Sequence, residues 1–171
     1  MKLIENREIY TEVVENGILR ARKLVWIATA NLKDLHIKSG QKYVSILDRF
    51  VSMAGSGVSI RVIHAAEPSG PFKNSFDRHR ELIRGDVEFL LCPRVHFKIV
   101  VIDGVMAYTG SANFTGAGLG GKSKDRRNLE IGIVFNEKEH VTRLMEIFDQ
   151  VWRGEHCPSC RRRNLCPDPI N

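Results

Sequence analysis

The feature that most constrains the fold is a pair of apolar, strand-like segments separated by only two residues. Residues 95–102 (VHFKIVVI) and 105–110 (VMAYTG) flank Asp103 and Gly104. Asp-Gly between two such segments is the strongest short-range signal of a β-hairpin, because both residues tolerate the positive φ angles of a tight turn. The sequence therefore predicts an antiparallel pair of strands in the middle of the chain.

Strand-type and helix-type patterns alternate along the rest of the sequence. Apolar or alternating segments predict strands at 24–30, 58–65, 86–92 and 128–135. Apolar residues at helical spacing predict helices over 5–22, 41–55, 76–85 and 137–152, with a proline-containing loop at 67–75. This mixture predicts an α/β fold: a mixed sheet flanked by helices on both faces.

Composition narrows the class of protein further. The chain has 171 residues, which suits one domain, and its formal net charge of +6 favours an anionic partner, nucleic acid before anionic membrane. No apolar run approaches the ~20 residues of a membrane span, and the N-terminus lacks the features of a signal peptide. We therefore expect no membrane span and a cytoplasmic location.

The predicted hairpin collects polar groups on one face. His96 and Lys98 are two residues apart and share a face, whereas the parity of Asp103 places it on the other face. With a two-residue turn, His96 lies opposite Ser111, and Asn113 falls on the same face if the strand continues. The four side chains on this face, His96, Lys98, Ser111 and Asn113, can all bind an anionic oxygen. An ammonium with two uncharged donors suits a phosphorus transition state, and imidazole can act as nucleophile or proton carrier.

These residues stand at the spacing of a known signature. His96-x-Lys98-x4-Asp103-x6-Gly110-Ser111-x-Asn113 resembles the H-x-K-x4-D-x6-G-S-x-N motif of the phospholipase D superfamily. The elements on either side resemble single-motif members, which include small bacterial nucleases. The resemblance implies a phospholipase D-like catalytic domain over 1–155. The remaining residues, 156–171, are Cys-rich and are predicted to form a metal-binding tail packed on this domain.

The resemblance also implies a role for each residue. His96 would attack phosphorus and form a phosphohistidine, and Glu130 would hydrogen-bond its ring. Asp103 would be structural. The non-bridging oxygens would be held by Lys98, Ser111 and Asn113. Catalysis would need no metal, and two chains would form a homodimer with one shared active site.

Two other patterns compete for a functional interpretation. Residues 116–123 match the Walker A pattern G-x-x-x-x-G-K-S, but a strand pattern rather than a helix follows, so we expect a flexible loop. His36-x-Lys38 repeats H-x-K without the rest of the motif and is predicted to lie in an exposed loop. The cations predicted to contact a phosphate backbone are Lys122, Lys124, Arg126 and Arg127.

Four cysteines suggest a metal. Cys157-x2-Cys160 has the spacing of a zinc knuckle, Cys166 follows, and Cys92 completes a set of four thiolates. His156 is the alternative fourth ligand. The sequence predicts a structural zinc in this tail, with an iron–sulfur cluster or free thiols as alternatives.

These observations predict a metal-independent phosphodiesterase, a nuclease acting on DNA or RNA. Two alternatives stay open. One is a nucleic-acid-binding module with weak or no catalysis, and the other is a phospholipase D-type hydrolase of lipid headgroups. The basic loop favours a polyanion, and the sequence has no evident apolar surface segment for a lipid.

Overall fold

The computed structural model describes residues 1–167 and 169–170, so Asp168 and Asn171 of the predicted tail lie outside the described residues. Its centre is a seven-stranded mixed sheet in the order β1-β9-β8-β7-β2-β5-β6, and a separate two-stranded hairpin is formed by β3 and β4. The strands are β1 Lys2–Glu5, β2 Leu24–Thr29, β3 His36–Ser39, β4 Lys42–Ser45, β5 Ser59–His64, β6 Glu88–Leu91, β7 Ile99–Ile102, β8 Met106–Gly110 and β9 Ile131–Phe135.

Strand direction determines which loops meet. Strands β2, β5 and β6 are parallel, whereas β7, β8, β9 and β1 pair antiparallel with their neighbours. One edge of the sheet therefore collects the end of β2 at Thr29, the start of β7 at Ile99, the end of β8 at Gly110 and the start of β9 at Ile131. We call this edge, defined by those four residues, the site edge.

Helices cover both faces of the sheet, as predicted. The helices are α1 Arg7–Ile9, which continues as a π-helix over Tyr10–Glu15, then α2 Ile46–Gly55, α3 Gly70–Phe76, α4 Arg80–Arg84 and α5 Lys138–Trp152. Alternate residues of β7 enter different cores: Val100 packs with α1 and α2, and Val101 packs with α5. On the α5 face, Phe148 stacks on Trp26 with ring centroids 5.0 Å apart. Each fully buried large apolar side chain stabilises the fold by about 1.5–3 kcal/mol.

The predicted hairpin forms, but its register differs by one residue. Asp103 and Gly104 have φ angles of 55° and 68°, and Val105 N donates to Ile102 O at 3.1 Å, which closes a two-residue turn. Ile102 nevertheless pairs with Met106, so Val105 is an extra residue on its strand. Such a bulge shifts every later pair by one, and the prediction that His96 lies opposite Ser111 is wrong.

Several predicted boundaries also move. The predicted helix over 5–22 is shorter than expected: Glu5 belongs to the edge strand β1, and the helix runs only from Arg7 to Glu15. Gly17 lies so close to Ile102 that a Cβ there would collide with it. Helix α2 begins only at Ile46, where Ser45 Oγ caps the backbone N–H of Leu47 at 3.1 Å. The predicted loop at 67–75 contains α3, whose first turn holds Pro71.

Two further boundaries complete the comparison. The predicted helix over 76–85 is reduced to α4, and the predicted strand over 95–102 is regular only from Ile99. Across the part of the chain that the structure describes, no helix combines the length and the apolar character needed to cross a membrane.

Candidate active site

His96 and Lys98 lie in the irregular segment that leads into β7. The His96 side chain is exposed, whereas Lys98 is only 9% exposed. Lys98 Nζ donates to the carbonyl oxygen of His96 at 2.6 Å and lies 3.5 Å from His96 Nδ1. Thr109 Oγ1 donates to the Lys98 carbonyl at 2.9 Å and ties the segment to β8. A buried ammonium group is therefore fixed directly beside an accessible imidazole.

Ser111 and Glu130 meet on the neighbouring strands. Ser111 Oγ donates to Glu130 Oε2 and accepts from Ile131 N at 3.1 Å. The other carboxylate oxygen, Oε1, accepts from Asn128 Nδ2 at 3.0 Å. Among the hydrogen bonds of residues 1–167 and 169–170, none joins Glu130 to His96, so in this structure the predicted orienting carboxylate binds the motif hydroxyl instead.

Asn113 is fixed through the oxygen of its amide. Oδ1 accepts from Asn31 N at 3.2 Å. Thr29 Oγ1 donates its one proton to Asn31 O at 2.9 Å, lies 3.3 Å from Asn113 Oδ1, and accepts from Phe114 N at 2.9 Å. Because these bonds use the acceptor end of the amide, the donor Nδ2 is the end suited to a phosphate oxygen.

All of these groups lie at the site edge. Lys98 precedes β7, Ser111 follows β8, and Glu130 precedes β9, and these three strands are neighbours about 4.8 Å apart. Asn113 reaches the end of β2 through its bonds to Asn31 and Thr29. The arrangement offers one accessible imidazole, one buried cation and polar donors on adjacent strands, a donor set that matches the oxygens of a phosphodiester.

Asp103 lies at the opposite end of β7. Its carboxylate accepts from the backbone N–H groups of Arg22, Lys23 and Leu24 at 2.7–3.1 Å. Burial acts to raise the pKa of Asp103, but these backbone bonds together with the charge of Lys23 outweigh burial and hold the pKa below its ordinary value. Asp103 thus joins the turn after β7 to the start of β2.

The glycine-rich loop is packed rather than flexible. Gly118, Leu119 and Gly120 are buried, and Gly120 has a φ of 76° where a Cβ would collide with the backbone of Asn6. Within 116–123 the described structure contains turns and no helix, so the phosphate-binding geometry of a Walker A loop is absent there. The match is a coincidence of glycine spacing.

The four predicted backbone-contacting cations are not equivalent. Lys122, Lys124 and Arg126 are exposed, but Arg127 is half-buried. Its Nε is buried without a hydrogen-bond partner among the described residues. Three of the four side chains therefore face solvent at the predicted surface.

The cysteines are not assembled as one set. Cys92, Cys157 and Cys160 line one cavity of about 190 Å³ with His156. Cys166 does not line this cavity, and its Sγ lies 3.9 Å from the carbonyl oxygen of Leu91, the residue before Cys92. In the described part of the chain, no three Cys, His, Asp or Glu side chains are arranged to hold one metal ion. The predicted four-thiolate site is thus not formed in this structure.

Sequence reasoning missed the partners that come from distant segments. Thr29 and Asn31, which hold Asn113, are separated from it by more than 80 residues, and Asn6 Oδ1 accepts from Glu130 N at 3.1 Å. The available signal was weak: Thr29 ends a predicted strand, and polar residues at strand ends often line sites. His36 and Lys38 were placed in a loop, but they form β3.

Comparison with known proteins places this geometry in a family. The family described as "Cardiolipin synthase, PLD-like domain" matches residues 14–152. No curated protein sequence matches the chain.

Solved structures share the fold at low sequence identity. NucT from Helicobacter pylori is similar with a TM-score of 0.63 and 15% identity, over 88% of this chain and 94% of that one. Nuc from Salmonella typhimurium, a phospholipase D family member, has a TM-score of 0.60 and 16% identity, over 88% and 92% of the two chains. TrmBL2, an archaeal chromatin protein, has a TM-score of 0.59 and 12% identity, over 88% of this chain and 51% of that one. The sheet, the motif spacing and the match over 14–152 lead to one conclusion: the chain belongs to the phospholipase D-like domain family.

Proposed function

We propose that this protein hydrolyses phosphodiester bonds of nucleic acid without a catalytic metal, through a phosphohistidine on His96. The observation that carries the proposal is the pairing of an exposed imidazole with the buried ammonium of Lys98 at the site edge. A nucleophile needs access to phosphorus, whereas a cation stabilises the developing charge best where water is excluded. Family membership supports phosphodiester chemistry at this site.

The proposed hydrolysis proceeds in two steps. A ring nitrogen of His96 forms a bond to phosphorus while the bond from phosphorus to the leaving oxygen breaks, and a second acid donates the proton that this oxygen takes up. Water then attacks the phosphohistidine, releases the imidazole and returns the proton to that group. Lys98, with Ser111 and Asn113, would stabilise the charge on the non-bridging oxygens.

The position of the imidazole proton is a requirement of this mechanism. An ammonium only donates, so the contact with Lys98 Nζ leaves a lone pair on Nδ1 of His96. Attack by Nε2 needs the proton on Nδ1 instead, with an acceptor to hold it. We propose that Glu130 supplies that acceptor when substrate phosphate engages Ser111 and frees one carboxylate oxygen.

The proposed substrate is a polyanion. The exposed cations Lys122, Lys124 and Arg126 follow the motif on the same loop and would contact successive phosphates. The net charge of +6 acts in the same direction. Lipid headgroups would not require such a series of cations outside the reaction centre.

A second candidate function is nucleic-acid binding without turnover. The similarity to TrmBL2, a chromatin protein with its own mode of DNA binding, favours this candidate, because the shared fold alone carries no catalytic requirement. The exposed His96 separates the two candidates, since a pure binding surface gains nothing specific from an accessible imidazole beside a buried ammonium.

We further propose that two chains form a homodimer with a shared site. One chain offers a single motif histidine, whereas the mechanism needs an attacking group and a proton donor. Apolar side chains flank Glu130: Leu129 is 90% exposed and Ile131 is 52% exposed. A twofold contact between the starts of β9 in two chains would cover Leu129 and Ile131. The same contact would bring the His96 side chains of both chains toward one substrate.

A structural zinc remains part of the proposal. Cys92, Cys157, Cys160 and His156 line one cavity, and thiolate and imidazole are the ligands that structural zinc takes. A backbone hydrogen bond to Cys160 and the nearby charge of Arg94 lower the pKa of this thiol, which favours the thiolate form. The ion would fasten the tail to the segment before His96.

The function is tested by cleavage of labelled single- and double-stranded DNA and RNA in excess EDTA. Cleavage under these conditions supports the proposal, and strict dependence on added Mg²⁺ contradicts it. Tight binding with no turnover on any substrate would favour the second candidate. Replacement of Lys122, Lys124 and Arg126 by Gln should lower the slope of log K against log salt by about 0.7–0.9 per lost phosphate contact.

Subunit mixing tests the dimer. After exchange with excess His96→Asn chains, wild-type activity should fall far below simple dilution, because a mixed dimer holds one histidine. Half activity per mixed dimer would show that each chain works alone.

Elemental analysis tests the metal. We expect about one zinc per chain, lost in Cys157→Ser and Cys92→Ser with a drop in stability. If Cys166→Ser keeps the zinc content of the wild type and His156→Ala loses the zinc, the fourth ligand is His156. A metal-free native protein would contradict the zinc proposal, and an iron-containing brown protein would replace it by a cluster.

A further inference from the structure

The β3–β4 hairpin stands outside the main sheet and presents an unusual outer face. Its register pairs Lys38 with Tyr43 and His36 with Ser45. Ile37 points inward and is buried, whereas His36, Lys38 and Tyr43 point outward. The Tyr43 side chain is 70% exposed. Among the described residues, it is the one aromatic side chain in the group of exposed large hydrophobic residues. An aromatic ring displayed on a cationic ribbon has no role in the core.

Tyr10 links this hairpin to the glycine-rich loop. A Cβ on Gly121 would lie 3.1 Å from the Tyr10 ring, and the backbone of Lys38 faces the Tyr10 hydroxyl. Leu35, at the base of the hairpin, also approaches Gly121. The outer face of the hairpin and the exposed Lys122 therefore belong to neighbouring surface segments.

The hairpin is also anchored to the site edge. Asn31 N donates to Asn113 Oδ1 at 3.2 Å, and Lys33 N donates to Phe114 O at 3.2 Å. Ile46 N donates to Leu35 O at 2.7 Å and closes the base of the hairpin. The four Cα-to-Cα steps from Asn31 to Leu35 can span at most about 14 Å, so the hairpin begins close to the candidate active site.

The charge on the hairpin has one sign. Residues 35–47 contain Lys38, Lys42 and His36 but no Asp or Glu. The nearest preceding carboxylate, Asp34, faces inward, where it accepts from Ser45 Oγ at 2.6 Å and from Ser75 Oγ at 2.7 Å. The next carboxylate along the chain, Asp48, is exposed and accepts from His79 Nε2 at 3.0 Å. The positive charge of Lys38 therefore lies beside Tyr43 and continues toward Lys122.

We infer that the β3–β4 hairpin is a docking ribbon for a single nucleic-acid strand that leaves the site edge. Lys38 contacts one of its phosphates, and Tyr43, its cross-strand partner, stacks on one of its bases. A single strand fits this surface because an exposed ring can stack only on a base that is free of its duplex neighbours. This inference rests on the proposed function and adds the strandedness of its substrate.

Binding of a labelled 12-nucleotide single strand to the His96→Asn protein tests the ribbon. Tyr43→Ala should weaken binding at least about fivefold, by the usual strength of base–aromatic stacking, and Tyr43→Phe should restore it. Lys38→Ala should lower the salt slope by about 0.7. Lys138→Ala, an exposed lysine on α5, is the matched control and should change neither quantity.

Three outcomes would overturn the inference. They are unchanged binding in Tyr43→Ala, equal losses in Tyr43→Ala and Tyr43→Phe, and a loss of the same size for a duplex of the same sequence. Thermal unfolding of each variant shows whether a loss of binding affinity comes from misfolding. His36→Gln provides a second variant on the outer face of the hairpin. The assay needs no turnover. A wild-type protein that binds through Tyr43 but cleaves nothing refutes the proposed function alone, and one that cleaves but binds independently of Tyr43 refutes the ribbon alone.

Discussion

The two ends of β7 carry two halves of one motif in opposite environments. At the start of the strand, His96 is exposed and its ring has one polar contact with Lys98 among the described residues. At the end, the carboxylate of Asp103 is saturated by backbone N–H groups of residues 22–24. His96 and Asp103, seven positions apart in one motif, thus differ in the hydrogen bonds that they can still form.

This difference distinguishes a residue that can act on a substrate from a residue that stabilises the fold. A side chain whose hydrogen-bonding capacity is already used contributes to stability, whereas one with unused capacity in reach of solvent can act on a substrate. We therefore expect substitutions at the start of β7 to change turnover with little effect on stability. Substitutions at its end should do the reverse. The predictions that follow test this division, beginning with the largest expected effect.

His96→Asn should abolish turnover while leaving the melting temperature close to that of the wild type. Loss of a covalent nucleophile costs at least about 10³-fold in rate, and an exposed side chain with one long contact contributes little to folding. The measurement is single-turnover cleavage together with thermal unfolding, and His140→Asn on α5 is the matched control. Retained cleavage, or a large loss of stability, would break the comparison at its catalytic end.

Glu130→Gln should slow turnover by about 10²-fold, less than His96→Asn, because the residue positions the reacting group rather than reacting. A purely structural role for Glu130 would not change which ring nitrogen of His96 carries the proton. The second readout is therefore the ¹⁵N shift of the His96 ring with a phosphate analogue bound. The proton should move from Nδ1 toward Nε2 in the variant. Glu139→Gln, an exposed carboxylate in the first turn of α5, is the control, and an unchanged ring spectrum would contradict the positioning role.

Much of this site could be predicted because its chemistry is local in sequence. The residues from His96 to Asn113 lie within one hairpin and its flanks, so alternation and spacing bring them to one edge of the sheet. The register could not be predicted, since the extra residue at Val105 depends on how the turn joins the twisted strands. The site survives the shift because its groups lie beyond the regular ends of the strands, where register matters less.

Other parts of the structure depend on contacts that sequence patterns do not encode. The edge strand at residues 2–5 forms because β9 offers it a partner, and the close approach of Gly17 to Ile102 joins residues 85 positions apart. Glu130 binds Ser111 rather than His96 because a carboxylate takes the donor that folding places beside it.

Asp103→Asn should destabilise the protein by about 1.5–3 kcal/mol and leave turnover per folded molecule unchanged. The magnitude is that of a hydrogen bond to a charged group, since the amide keeps the shape but loses the charge that three backbone donors face. Urea unfolding measures the loss, and Asp77→Asn, at an exposed helix end, is the control. A variant with normal stability but impaired kcat would reverse the roles of the two ends of β7.

The smallest expected effect is the dependence of this contribution on pH. The pKa of Asp103 is lowered in the folded protein because its backbone bonds outweigh burial, so folding favours the carboxylate. A group of this kind contributes its full stabilisation above the unfolded pKa of about 4 and loses it as the pH falls through the lower folded pKa. The stability difference between wild type and Asp103→Asn should therefore be constant from pH 7 to pH 5 and shrink below pH 4.

Comparing the two proteins at each pH cancels the titration of the other carboxylates, which both proteins share. Asp77→Asn, measured over the same series, should show no comparable narrowing relative to wild type. If the difference between wild type and Asp103→Asn were instead to grow on acidification, the protonated carboxyl would be the form that folding prefers. The backbone donors would then not be what holds Asp103, and its place at the structural end of β7 would need another physical cause.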